Sequence, residues 1–155
     1  MTLLYQAYLL QFDNNESVDG ITKFVAINTE SLLHLFQVDF QIQEISNASF
    51  IVLNYNHQSI ARLIEGCNAV SVIILFIAFV FAFSGKLKPT LWFIFLGSVI
   101  VYILNVVRIA LLCSALYWYP KHEAVLHEIV FPLFIYGVVF VLWVIWVNKF
   151  SKYAK

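Results

Sequence analysis

Charge is scarce in this chain. Only 12% of its 155 residues are Asp, Glu, Lys or Arg, and the 9 basic and 9 acidic side chains cancel. That leaves no basic surface for a nucleic-acid partner. Cysteine is nearly absent too: Cys67 and Cys113 are the only two, and they form no CxxC pair. Neither a disulfide scaffold nor a cysteine-rich zinc site fits so thin a supply. The first residues lack the basic start of a cleavable signal peptide. Residues 3–12 are apolar but short of the roughly 20 that cross a bilayer, and read as a short or truncated N-terminal membrane helix.

What the chain does have is apolar bulk. It is 62% hydrophobic and 17% aromatic, with a mean hydropathy of +0.85. Those values lie far from the norm for soluble domains and indicate a polytopic membrane protein. Three apolar runs stand out, at 67–84, 90–107 and 129–148. Lys86, Lys88 and Pro89 break the first from the second; Tyr117, Trp118 and Tyr119 follow the second as an interfacial aromatic belt, closed by Pro120 and Lys121. Pro132 lies in the first turns of the third run, where a kink is expected.

Residues 13–65 are different in kind. They carry seven acidic side chains against two basic ones. Within them, 21–36 places Ile21, Phe24, Val25, Ile27, Leu32, Leu35 and Phe36 near helical spacing, which predicts an amphipathic helix. Residues 40–54 alternate, as a short hairpin or an irregular cap would. The expected architecture is an all-α polytopic membrane protein. It has three full transmembrane helices, a short N-terminal one, and a small extracytoplasmic segment between the first and second. Its boundaries are 1–12 for the short helix, 13–66 for the outer segment, 67–148 for the transmembrane core and 149–155 for a basic tail. Because Lys86, Lys88 and the three tail lysines fall at the ends of the runs opposite the acidic segment, the positive-inside rule puts both basic ends in the cytoplasm.

Polar residues inside apolar runs carry the functional signal. Arg108 interrupts the second run after 18 uncharged residues, about 27 Å of helix, so it is expected near the far interface. Its bland readings are a snorkelling anchor or an ion pair with Glu123 or Glu128. Asn105, three residues earlier on the same face, makes a polar pair with it and shifts the reading toward a site. Cys67 opens the first run, where the positive end of a helix dipole and a nearby guanidinium both favour a thiolate; its bland reading is a small buried hydrophobe, which is also the reading for Cys113. His127 opens the third run, with Glu123 four residues before it on one helical face, able to orient the imidazole. His122 and His127 are five apart, not the four of HExxH, so no zincin site is expected, and neither a metal nor a cofactor is called for. His34, His57 and His122 are read as ordinary polar residues.

Glu65-Gly66-Cys67, Asn105-Val106-Val107-Arg108-Ile109 and the His127 that opens the last helix together resemble the three blocks of the exosortase/archaeosortase family of membrane transpeptidases. They are most similar to the short F-type exosortases of Bacteroidetes. The resemblance implies Cys67 as nucleophile, His127 as proton-transfer partner and Arg108 as the group facing the tetrahedral oxyanion. It also implies exported protein substrates bearing a C-terminal sorting signal, in contact with membrane lipid at the inner membrane. The catalytic residues would then lie at the extracytoplasmic face. The chain departs from the family in its shrunken first helix. Two other readings stay open on the residues: a quinone-linked thiol oxidoreductase using Cys67 and Cys113, and a non-enzymatic membrane scaffold.

Overall fold

The computed structural model describes residues 20–45, 50–64, 67, 69–83, 85–122 and 125–150. The short helix expected before residue 13 and the tail lysines Lys152 and Lys155 lie outside them. The amphipathic helix expected at 21–36 is present as α1, Gly20–Leu35. Its buried residues are Thr22, Val25, Ala26, Thr29 and Leu33, three or four apart as one helical stripe requires. The buried Thr29 hydroxyl donates to the Val25 carbonyl at 2.9 Å, which makes a polar residue tolerable there. Gln37, at φ 59°, takes the left-handed conformation that ends the helix.

Three strands follow: β1 Phe40–Glu44, β2 Phe50–Tyr55 and β3 Gln58–Ile64. They form an antiparallel sheet in the order β1-β2-β3, and the all-α expectation is corrected accordingly. The sequence alternation at 40–54 covered only two of the strands. The third is made by a two-residue turn in which Asn56 and His57 both take positive φ, 47° and 64°, so that Tyr55 pairs with Gln58. Two positive φ values match the right-handed twist of the flanking strands and close the hairpin. The register shifts between Leu53 and Asn54, leaving Ile60 as the extra residue of a bulge. The Ile42 N–H donates to Glu30 at 3.1 Å and Lys23 pairs with Glu44 at 2.8 Å, tying β1 to α1.

Three apolar helices complete the fold, α2 Val70–Ala82, α3 Leu87–Trp118 and α4 Phe131–Lys149. Two of these, α3 and α4, are long and apolar enough to cross a bilayer. The first expected span is shorter than the run 67–84 promised: α2 has 13 residues, about 20 Å of helix. Ala69, buried and left-handed at φ 62°, precedes it and breaks the helix there.

Helix α3 organises the whole. Its 32 residues rise about 48 Å, well beyond a hydrocarbon thickness of about 30 Å. The first part shares a core with α2 and α4, built from Phe76, Val80, Val101, Ile135, Val139 and Trp146. The second part shares another with α1 and the sheet, through Val106, Ile109, Ala110 and Cys113. Tyr102 anchors α1, accepting from the Asn28 amide at 3.0 Å, while Tyr117 stacks on Tyr55 of the sheet with centroids 4.6 Å apart. Phe93 stacks near Trp146, at 4.8 Å, and near Phe150, at 5.7 Å. The start of α3 and the end of α4 therefore lie together. Large apolar side chains such as Trp92, Phe95, Leu133 and Phe140 face outward, as a lipid-facing surface requires.

Candidate active site

Asn105 sits at the seam between the two cores. It is fully buried, and its amide nitrogen donates to the Cys67 carbonyl at 2.9 Å. This bond fixes the turn that carries Cys67 against the middle of α3. Cys67 itself is half-buried and lies three residues before the first residue of α2. The expectation that it opens the helix is thus corrected. The left-handed Ala69 separates Cys67 from the helix start, and the dipole field fades within about one turn.

One helical turn past Asn105, Arg108 is half-buried and lines the same pocket as Cys67. The pocket encloses about 380 Å³. Its other walls are apolar residues of α3, Ile109, Leu112 and Leu116, with Leu53 of β2 and a continuous length of β3 from Ser59 to Ile64. Two buried polar atoms in this region have no hydrogen-bond partner among the described residues: Arg108 Nε and Asn105 Oδ1. A buried donor and acceptor left unpaired cost on the order of 1–3 kcal/mol each, so each calls for a partner, whether water or a bound group. The β3 wall was not anticipated from the sequence; its place shows only once the sheet packs against α3.

The other expected residues separate into two groups. The backbone of His127 lies in a wide turn, Leu126–Val130, that runs straight into α4. There the Phe131 N–H reaches back five residues to the Leu126 carbonyl. Pro132 explains the widening, because it has no N–H to donate and its ring crowds the carbonyl four residues back. The His127 side chain and all of Glu123 lie outside the described residues. Cys113 is fully buried in the core with Val106, Ile109 and Ala110 and does not line the pocket. His34 and His57 are engaged locally, the first 2.6 Å from the Phe40 carbonyl and the second 3.0 Å from Asp39.

Residues 4–148 match the model of one family, described as transmembrane exosortase (Exosortase_EpsH). The chain belongs to the transmembrane exosortase family. The match spans Cys67, Asn105, Arg108 and His127 alike. No match was found among curated proteins or among solved structures. Membership points to an integral membrane protein of the transpeptidase type. It agrees with the outward-facing apolar surface of this exosortase's helices α3 and α4.

Proposed function

We propose that this exosortase family member, of the F-type, is a cysteine transpeptidase that processes exported proteins at a C-terminal sorting signal. The observation that carries the proposal is the pocket shared by Cys67 and Arg108, with the unpaired Arg108 Nε and Asn105 Oδ1 beside it. In the proposed reaction the Cys67 sulfur forms a bond to the scissile carbonyl carbon. Arg108 faces the oxyanion that develops there, a contribution of about 2.7–4 kcal/mol for one preorganised donor in well-studied hydrolases. The amide C–N bond then breaks, and His127, oriented by Glu123, delivers a proton to the leaving nitrogen. An amine, hydroxyl or water attacks the thioester, gives its proton to His127 and releases the Cys67 thiolate. Asn105 positions the nucleophile through the carbonyl bond to Cys67.

The site is proposed to sit at the extracytoplasmic face of the inner membrane, with residues 67–83 making a third crossing. Asn105 lies 18 residues from the start of α3, a rise of about 27 Å. Since the Cys67 carbonyl is bonded to Asn105 while α2 ends just before α3 begins, residues 67–83 traverse that same depth.

The two cysteines test this directly. Cys67→Ala should abolish maturation of the exported substrates, and mass spectrometry of the parent should find a thioester-linked fragment on Cys67. Cys113→Ala should retain most of the activity, because Cys113 is buried in the core away from the pocket. Equal losses from both substitutions, at normal membrane abundance, would favour thiol redox chemistry instead.

A further inference from the structure

The pocket is lined by six consecutive residues of β3, Ser59 through Ile64. Leu53 of β2, buried on the side of the sheet that packs against α3, lines it too. Side chains of a strand alternate between its two faces, so a space touched by six in a row is not confined to that face and reaches the edge of the strand. β3 is an edge: β2 pairs with one side of it, and among the described residues no strand pairs with the other. In an antiparallel pair only alternate residues turn their N–H and C=O groups toward the partner, and the rest are turned outward. The facing walls of the pocket are apolar side chains of α3, with Cys67 and Arg108 beside them.

We propose that the substrate segment around the scissile bond binds as an added β-strand along the free edge of β3. This rests on the transpeptidase reading above. A peptide bond open to attack by Cys67 must lie in an unwound segment, and an unwound backbone brings N–H and C=O groups that need partners. Against Ile109, Leu112 and Leu116 such groups would be buried and unpaired. The outward backbone groups of β3 pair with them, as in other strand-addition complexes. Seven residues of β3 give a rail about 23 Å long. It ends at Ile64, three residues before Cys67, so a strand laid on it is delivered to the nucleophile. The bulge at Ile60 bends the rail and limits regular pairing to residues 61–64.

Single prolines at Ala61, Arg62, Leu63 and Ile64 in the full chain test this, each scored for membrane abundance and for maturation of exported proteins. Two alternate positions donate to β2, and proline there should lower abundance. At the other two, proline removes only an outward N–H, so abundance should be normal while maturation falls about tenfold for one lost hydrogen bond. Normal maturation in those two variants, with Cys67→Ala inactive, overturns strand addition alone. Undiminished maturation in Cys67→Ala overturns the transpeptidase reading and this inference with it. If all four prolines lower abundance, a photoreactive side chain placed at the exposed Arg62 or Ile64 decides. Attachment points on an exported protein that shift by two residues between the two positions support the added strand. Crosslinks confined to a second copy of this chain, or absent, overturn it.

Discussion

Arg108 and Asn105 show how much one turn of helix can hold. Asn105 donates an amide hydrogen to the Cys67 carbonyl, and among the described residues neither its own Oδ1 nor the Arg108 Nε one turn on has a partner. An arginine serving only as a snorkelling anchor would keep its head in water and need no fixed geometry. Lysine separates the two possibilities, since it keeps the charge and loses the planar fork of donors. Arg108→Lys is expected to slow substrate maturation on the order of a hundredfold at normal membrane abundance, the loss typical of one preorganised oxyanion donor. Pulse-chase measurement of the uncleaved precursor reads this out. A rate near that of the parent would remove Arg108 from the proposed chemistry.

At the scale of elements, helix packing is as tight as the residue chemistry. A Cβ placed on Gly97 of α3 would lie 2.3 Å from Cζ and 2.6 Å from Cε1 of Phe76 on α2. Phe76 is fully buried and neighbours Phe93 at 6.0 Å between centroids, so its ring has little room to retreat. Small residues at such crossings let membrane helices approach, and no hydrophobic effect between lipid-bathed helices compensates when the approach is lost. Gly97→Ala should therefore cost about 1–3 kcal/mol, as overpacking does elsewhere. It should lower the thermal midpoint of the detergent-solubilised protein by several degrees, and adding Phe76→Leu should restore part of the loss. An unchanged midpoint for the single variant would mean that the two helices do not meet so closely. These elements were unequally legible in the sequence. Helices α3 and α4 announce themselves as unbroken apolar runs, and α1 does so by its spacing of three and four. Strand β3 does not, because Gln58, Ser59 and Arg62 interrupt its pattern and its conformation is decided by pairing with β2. The start of α2 was misplaced for a similar reason, since nothing in the residue type of Ala69 signals a left-handed turn. Of the candidate site, Cys67, Asn105 and Arg108 could be picked out as polar exceptions in apolar surroundings. The wall of β3 depends on contacts between distant segments.

For the whole molecule, the two cores of α3 set a physical expectation about the bilayer. About 20 residues of helix fill the hydrocarbon, which takes α3 from Leu87 to the neighbourhood of Arg108. The remaining turns to Trp118 rise beyond it, where Ile109, Ala110, Cys113 and Tyr117 meet α1 and the sheet, and α1 reaches back as far as Tyr102. The outer segment must then lie on the side opposite Lys86 and Lys88. Lys149 joins those lysines, because the contacts of Phe93 with Trp146 and Phe150 bring the end of α4 to the start of α3. With the basic ends together and the acidic segment opposite, the positive-inside rule assigns the lysines to the cytoplasm. Reporter fusions at Lys86 and after the last residue are expected to signal cytoplasmic, and fusions at Asn47 and Lys121 extracytoplasmic. An extracytoplasmic signal at Lys86 would turn the pocket of Cys67 and Arg108 toward the cytoplasm. Processing of exported proteins from that side would then be excluded, whatever the chemistry of the pocket. Cytoplasmic signals at both Lys86 and Lys121 would mean instead that α3 does not cross, and its 32 residues would have to be repacked as a surface helix. Only the alternation of sides along the chain places the proposed nucleophile where an exported protein arrives.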